Sequence, residues 1–282
     1  MSQSIIKINK EHKFRPSKRL GQNFLTDKKA IKKIIDSAGI KRSETVIEIG
    51  TGFGNLTQEI AKKAKRVIAI EKDRRICEVV EKSLKNLKNV KVVKGDFLKI
   101  PFNKYQISGD YKIIANPPFY IVSPLIRKSL EFNPRPKEIV LVVQKEIGQR
   151  ACPQARKDGK TPLGSVLAAT IRLYAKEAKL IGYISKKSFW PKPDVDSSII
   201  KIIPRRSKIS DSFKKDFLEI VKAGFSQPRK QIANNLAKKL KKRKEEVEKW
   251  LLDNGIQPNQ RAESLTIDDW SRLAKNKIKE NY

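Results

Sequence analysis

"VIEIGTGFGNLT", residues 46–57, sets a short β-branched run against Gly50, Gly52 and Gly54 at every second position, followed by the opening of a helix. Glycines at a strand-to-helix turn let the backbone bend tightly and approach a ligand closely. The spacing is GxGxG rather than the GxGxxG of dinucleotide-binding folds, and no GK[ST] follows to hold a triphosphate and its metal. Taken alone, the loop fits a plain turn as well as a ligand cradle.

Outward from this loop, "RVIAIE", "VKVVKGD", "KIIAN" and "EIVLVVQKE" are further short β-branched runs, most of them separated by stretches able to form helices. This alternation predicts an α/β fold with a doubly wound parallel sheet. "AKLIGYIS" and "SSIIKIIP" follow one another across a Pro-rich loop and predict an antiparallel pair that closes the sheet. Upstream, Ala30, Ile31, Ile34, Ile35 and Ala38 recur at helical spacing after Asp27, and Gly39 supplies the stop.

After "IIPRRSKISD" the strand signals cease, and helices are predicted over 211–223, 228–243, 245–254 and 266–275. The expected organisation is a disordered basic leader at 1–17, an α/β domain at 18–206 and a small C-terminal helical domain at 207–282. The boundary falls between Pro204 and Ser210.

The chain has 282 residues with 63 Lys plus Arg against 30 Asp plus Glu, a formal net charge of +33. Such an excess attracts polyanions through release of their condensed counterions, so nucleic acid is the expected partner. "KKLKKRK" at 238–244 concentrates it, making Lys238, Lys239, Lys241, Lys242, Arg243 and Lys244 candidate nucleic-acid contacts. The alternatives are a lysine-rich bias without a partner and a solvated helical bundle.

No window approaches the roughly 18 apolar residues of a membrane span, and the N-terminal stretch lacks a signal peptide's apolar run. A soluble, cytoplasmic protein is expected. Cys77 and Cys152 lack disulfide or zinc spacing, and His12 is the only histidine, in the charged leader. A mechanism built on histidine or metal is therefore not expected.

Two acids give the glycine loop a chemical context. Glu71 ends the second strand, 21 residues after Gly50, where a carboxylate can accept from both ribose hydroxyls. Asp96, in "KGDFL", ends the third, where it can accept from an adenine amino group. Ion-pair or capping roles are the alternatives. Three successive strand ends of this kind resemble the S-adenosylmethionine site of Rossmann-like methyltransferases.

The fourth strand ends in "NPPF", Asn116 to Phe119. An exocyclic adenine nitrogen is a poor nucleophile because its lone pair is delocalised into the ring. If the Asn116 side-chain oxygen and the Pro117 carbonyl accept its two N–H bonds, the amine is polarised and aimed at an incoming methyl. The prolines keep these acceptors fixed, and Phe119 offers a face for the base. An ordinary strand-ending turn is the bland alternative. Phe189 and Trp190 either line the entrance for the target base or pack the sheet's edge.

"RLGQNFLTD", "EIGTGFGNLT", "IEKD", "GDFL", "ANPPFYI", "VLVVQKEIGQR", "FWPKPDVDSSII", "GFSQPRKQIANNL" and "GIQPNQRAESLTIDDWSRLA" occur in the order found in the KsgA-type family. These are the small-subunit ribosomal RNA adenine N6,N6-dimethyltransferases, and the chain resembles them from about Ser17 to Asn276. The resemblance implies a Rossmann-like methyltransferase domain with a small C-terminal helical domain. It also implies an S-adenosyl-L-methionine cofactor touching Asn23, Leu25, Gly50, Gly52, Glu71, Asp96 and Asn116, with the target adenine at Asn116 to Phe119. The implied reaction is dimethylation of two adjacent adenines in a hairpin loop near the 3′ end of small-subunit rRNA, within a pre-ribosomal 30S particle, by a monomer.

One departure stands out: the family reads N-[LI]-P-[YF], whereas this chain has Pro117 at the second position. "NPPF" also occurs in DNA adenine-N6 methyltransferases, although no target-recognition domain is evident. The related macrolide-resistance enzymes of large-subunit rRNA share "QNFL" and the Asn-x-Pro-aromatic turn, while the C-terminal motifs favour the small-subunit family. A catalytically silent assembly factor would be expected to have lost the glycine loop, Glu71, Asp96 or Asn116, and all are intact.

Overall fold

In the computed structural model, which describes residues 14–107, 109–153 and 161–278, the chain divides into two compact units. The first comprises the chain up to Gly148 together with Ala175–Pro204, and the second Gln149–Tyr174 with the chain from Arg205 onward. Residues 1–13 of the expected leader, His12 among them, lie outside the described residues. The leader's last four residues depart from the expectation of disorder. Phe14 is buried, edge-on to Phe24 and Phe53, and the Ser17 amide donates to Gln22 Oε1 at 2.7 Å.

Up to Pro204 the elements are β1 (Phe24–Leu25), α1 (Lys28–Ala38), β2 (Thr45–Ile49), α2 (Asn55–Ala61), β3 (Arg66–Glu71), α3 (Arg74–Leu84), β4 (Val90–Lys94) and β5 (Tyr111–Ala115). They continue with α4 (Val122–Glu131), β6 (Glu138–Gln144), α5 (Lys145–Ala151), α6 (Val166–Tyr174), β7 (Ala175–Ile184), β8 (Phe189–Trp190) and β9 (Ser197–Pro204). Seven strands form one sheet in the order β4-β3-β2-β5-β6-β9-β7. β4 through β6 run parallel, with Ile47 opposite Ile68 and Ile113, and β9 is antiparallel to both β6 and β7. The predicted closing pair is thus β7 and β9.

The central strands β2 and β5 are buried at every position because helices cover both faces of a parallel sheet. One covering element is α1, whose ends are those predicted. Asp27 caps it by accepting from the Lys29 and Ala30 amides, and Gly39 ends it in the left-handed region at φ 50°. Its buried stripe is Ala30, Ile31, Ile34, Ile35 and Ala38; each isoleucine contributes roughly 1.5–3 kcal/mol by burial. A buried ion cluster sits at the strands' opposite end. Lys112 lies 3.3 Å from Glu44 and from Glu138 and donates to the Ala38 and Gly39 carbonyls at 2.7 and 2.9 Å.

The second unit holds α6, α7 (Asp211–Gly224), α8 (Ile232–Leu240), α9 (Lys244–Asp253) and α10 (Ile267–Lys275). Its membership differs from the contiguous 18–206 and 207–282 division. Gln149–Tyr174 groups with the C-terminal helices because α6 packs on α7 and α10, and the Leu163 amide donates to the Leu265 carbonyl at 2.8 Å. The helix predicted over 228–243 is shorter, ending where Lys241 turns left-handed at φ 55°. The buried positions of α8 stop at Leu236 and those of α9 begin at Val247, so no continuous apolar stripe holds the basic run in one helix. Trp270 is fully buried at the centre of this unit, with a Cβ at Gly224 coming within 2.4 Å of its ring.

Candidate functional site

The parallel strands bring four ends to one edge of the sheet, and a pocket opens there within the first unit. Asn23, Leu25, Gly50, Gly52, Glu71, Asp96, Asn116, Pro117 and Phe119 all line it, so every pocket residue expected from sequence is gathered in one place. The crevice beyond the carboxyl ends of such strands is where this architecture receives ligands.

The glycine loop is shaped by its neighbours. Gly50, Gly52 and Gly54 have φ of 79°, 52° and 81°, all in the left-handed region. A Cβ on Gly52 would come 3.0 Å from Phe24 Cδ1, so the loop packs directly on that ring. Phe24 in turn stacks within a cluster: its centroid is 4.3 Å from Phe53 and 6.2 Å from Trp190. The hydrogen-bonded ribbon of β1 and β8 pairs Phe24 with Trp190 and Leu25 with Phe189. Phe189 is buried and lines the pocket, while Trp190 braces the ring beneath the glycine loop. Asn55, at the first residue of α2, donates to the Leu25 carbonyl at 3.0 Å and ties the ribbon to the loop.

Glu71 is buried, with Oε1 accepting from the Lys72 and Asp73 amides at 2.8 and 2.9 Å and Oε2 from the Thr51 hydroxyl at 3.3 Å. Burial raises its pKa above the ordinary carboxylate value, against those hydrogen bonds. Asp96 accepts from the Leu98 amide at 3.0 Å and pairs with Lys72 at 2.9 Å. Its burial works against ionisation, but Lys72 and the Leu98 amide outweigh that and hold its pKa low.

Asn116 Nδ2 donates to the Asn23 carbonyl at 3.3 Å. The backbone beyond it is fixed by two prolines, and the Ile121 amide closes a 3-10 turn, Phe119–Ile121, on the Pro118 carbonyl at 3.1 Å. Gly50 approaches the same strand end closely, since a Cβ there would lie 3.5 Å from the Asn116 carbonyl oxygen.

Several pocket residues lie within "RLGQNFLTD", "EIGTGFGNLT" and "IEKD" without a role that the sequence alone reveals. Gln22 bridges the N-terminal segment to α3 by donating to Asp73 Oδ2 at 2.8 Å. Lys72 spans from β3 to Asp96. Glu48 is the least expected: it is fully buried beside α2, both carboxyl oxygens and the facing Thr57 hydroxyl lack hydrogen-bond partners, and it reaches the pocket wall. Burial pushes its pKa up to about 8, opposed by the nearby Thr57 hydroxyl, although neither group meets hydrogen-bond geometry, and aided less by Glu71. Only the break from β-branched to acidic within "VIEIG" could have flagged it.

The basic candidates all lie in the second unit. Lys238 and Lys239 occupy the last turn of α8, and Lys241 the left-handed cap. The Lys242 amide donates to the Ala237 carbonyl at 3.1 Å. Arg243 pairs with Glu246 at 2.9 Å and Lys244 with Glu248 at 3.6 Å.

The pocket's donors and acceptors fit an adenosyl ligand. Glycine backbone forms the floor, the Glu71 and Asp96 carboxylates stand at successive strand ends, and an unpartnered acid lies beneath the loop. Among the described residues no helix is long and apolar enough to cross a membrane.

A family model described as ribosomal RNA adenine dimethylase matches residues 12–279. A Bacillus licheniformis protein named ribosomal RNA small subunit methyltransferase A is 36% identical over 95% of this chain and 93% of its own length. A protein of the same name from a Geobacillus species is 34% identical over the same shares. A dimethyladenosine transferase crystal structure from Plasmodium falciparum superposes with a TM-score of 0.72 at 27% identity, covering 90% of this chain and 98% of that one. The 23S rRNA methyltransferase ErmE shares the fold with a TM-score of 0.65 at 24% identity, over 90% of this chain and 98% of its own.

Proposed function

The chain belongs to the ribosomal RNA adenine dimethylase family, and from that premise we propose that it dimethylates N6 of two adjacent adenines in the 3′-terminal hairpin loop of small-subunit rRNA. The methyl source is S-adenosyl-L-methionine, which when bound supplies an electrophilic methyl on a sulfonium sulfur. In this reading the enzyme acts as a cytoplasmic monomer on a pre-ribosomal 30S particle, with the helical unit gripping RNA.

One observation carries the assignment of chemistry to the pocket. The Asn116 amide gives its N–H to the Asn23 carbonyl, which leaves its oxygen as an acceptor just past the end of β5. That oxygen and the Pro117 carbonyl accept the two N–H bonds of the target amine and orient its lone pair. Bound in the pocket, the cofactor would supply the methyl to the amine nitrogen and take up the electron pair of the broken carbon–sulfur bond, and the amine proton would pass to water. No strong base is needed, because the nitrogen becomes acidic only as the new bond forms. Phe119 supplies a face for the purine, and Glu71 and Asp96 hold the donor's ribose and adenine. The gain comes from holding two reactants in line, worth roughly 7–11 kcal/mol in favourable intramolecular models.

The test is transfer of labelled methyl to purified small-subunit RNA or particles and, in parallel, to large-subunit RNA, with mass analysis of the modified nucleosides. N6,N6-dimethyladenosine in the small-subunit 3′ hairpin is expected. Label in large-subunit RNA, or tight particle binding without transfer, would overturn the proposal.

A further inference from the structure

Removing one adenine from a loop into a pocket deprives its neighbour of a stacking partner, so a flat apolar surface at the pocket rim would offset that loss. Tyr120 is placed to provide it. It follows Phe119 in the 3-10 turn, lines the rim, and is 58% exposed, the most exposed large hydrophobic side chain among the described residues. An isolated exposed tyrosine is ordinary; the surroundings of this one are not.

The ring is held in position. Gly21, at φ 57°, lies so close that a Cβ there would stand 3.6 and 3.7 Å from Tyr120 Cδ1 and Cε1 and 3.2 Å from Pro118 Cβ. The turn is closed on Pro118 and continues directly into α4 through buried Val122. A tyrosine so seated loses little further freedom when a base settles on it.

Cations stand on the neighbouring segments. Lys72, whose side chain is 57% exposed, is anchored by Asp96 at 2.9 Å and lines the same pocket as Tyr120. Arg19 is exposed on the turn Lys18–Leu20, just ahead of Gly21. An exposed aromatic ring with basic side chains on the adjoining segments is an arrangement that binds single-stranded nucleic acid through base stacking and phosphate attraction.

We propose that Tyr120 is the stacking platform for the nucleotide adjoining the target adenine, with Arg19 and Lys72 receiving neighbouring phosphates. The inference rests on the proposed function and adds a second nucleotide subsite to it.

The test uses two hairpin RNAs with paired loop adenines, carrying 2-aminopurine on the 5′ or the 3′ side of the target. Wild-type protein should quench one of the two. Tyr120→Ala should bind that RNA about ten-fold more weakly and lose the quench, Tyr120→Phe and Tyr120→Trp should keep both, and calorimetric affinity for S-adenosylmethionine should be the same in all four proteins. Wild-type quench and affinity in Tyr120→Ala, or no quench of either hairpin at saturation with wild-type protein, would overturn the inference. So would a fall in cofactor affinity in Tyr120→Ala or failure of the aromatic variants to rescue, since the ring would then only shape the turn. The fluorescence does not depend on methyl transfer. Absent transfer with an intact Tyr120-dependent quench would defeat the proposed function alone, and Asn116-dependent transfer with an inert Tyr120 would defeat this inference alone.

Discussion

The side-chain amide of Asn116 donates to the backbone carbonyl of Asn23, 93 positions earlier in the chain, across 3.3 Å. This bond couples the "QNFL" segment to the end of β5 and leaves the amide oxygen free. In the proposed reaction that free oxygen is the atom that accepts from the target amine, as an amine nucleophile requires.

Asn116→Ala should therefore lower methyl transfer by about 100-fold or more, the usual cost of one preorganised polar partner. Cofactor affinity should stay within severalfold, because Glu71, Asp96 and the glycine loop are untouched. Single-turnover rates with calorimetry on the same protein separate these effects. Near-normal turnover would remove Asn116 from the chemistry.

For Glu71 the expected defect is the reverse. Glu71→Ala should weaken S-adenosylmethionine binding at least ten-fold while leaving the saturated rate much closer to wild type. Because burial raises this carboxyl's pKa, it protonates at a higher pH than an ordinary glutamate. The charged form is the better hydrogen-bond acceptor, so wild-type affinity should decline as pH is lowered through mildly acidic values. Glu71→Gln should flatten that decline. A pH-independent dissociation constant for the wild type would contradict the assignment.

Much of the first unit was legible because its signals are local. The β-branched runs, the Asp27 cap and the Gly39 stop of α1 specify elements without reference to distant residues, and strand ends fall in register once the sheet is parallel. What escaped depends on contacts far apart in sequence. Nothing near Val166–Tyr174 says that it packs with α7 and α10 rather than with the sheet that precedes and follows it. The Lys72–Asp96 pair, the burial of Phe14 and the seating of Tyr120 on Gly21 likewise arise only when remote segments meet. The split of "KKLKKRK" was missed because lysine's helix propensity is good, whereas the turn at Lys241 is set by where apolar anchors end and resume.

Glu48 should make stability depend on pH in an unusual direction. Its folded-state pKa of about 8 lies above the 4.5 of the free side chain. Between those values the folded state binds the extra proton, so this group's contribution is full below about pH 4.5 and is lost as pH rises toward about 8. The amount lost is on the order of a few kcal/mol. Glu48→Gln keeps the shape without the titration. It should match wild type in denaturant unfolding near the acid end of the window and exceed it at the alkaline end. Parallel stability curves for the two proteins would show that Glu48 is not held neutral.

Lys112 tests the buried ion cluster. Its ammonium pairs with Glu44 and Glu138, and both it and Glu44 are almost wholly enclosed. Lys112→Ala strands the buried Glu44 carboxylate and should cost about 3–5 kcal/mol. The double variant Lys112→Met with Glu44→Gln should recover much of this loss, because it removes the charges together. Denaturant titration of the two variants decides the matter, and a mild single-variant effect would mean that Lys137, 3.6 Å from Glu44, suffices.

The basic run offers a graded prediction. Lys238, Lys239 and Lys241 are exposed, whereas Arg243 and Lys244 pair with Glu246 and Glu248. A cation already paired with a carboxylate gains less from a phosphate, because it must give up or share its partner. If the helical unit grips RNA, neutralising Lys238, Lys239 and Lys241 together should reduce the slope of log affinity against log salt by roughly 0.7–0.9 per lost phosphate contact. Neutralising Arg243 and Lys244 should change the slope by less per residue and also leave Glu246 and Glu248 without their partners. Affinity measured across a salt series for the two variants separates these outcomes. A slope unchanged in both would reduce the run to a solubilising charge, and an equal loss per residue would show that the glutamates release their partners when RNA binds.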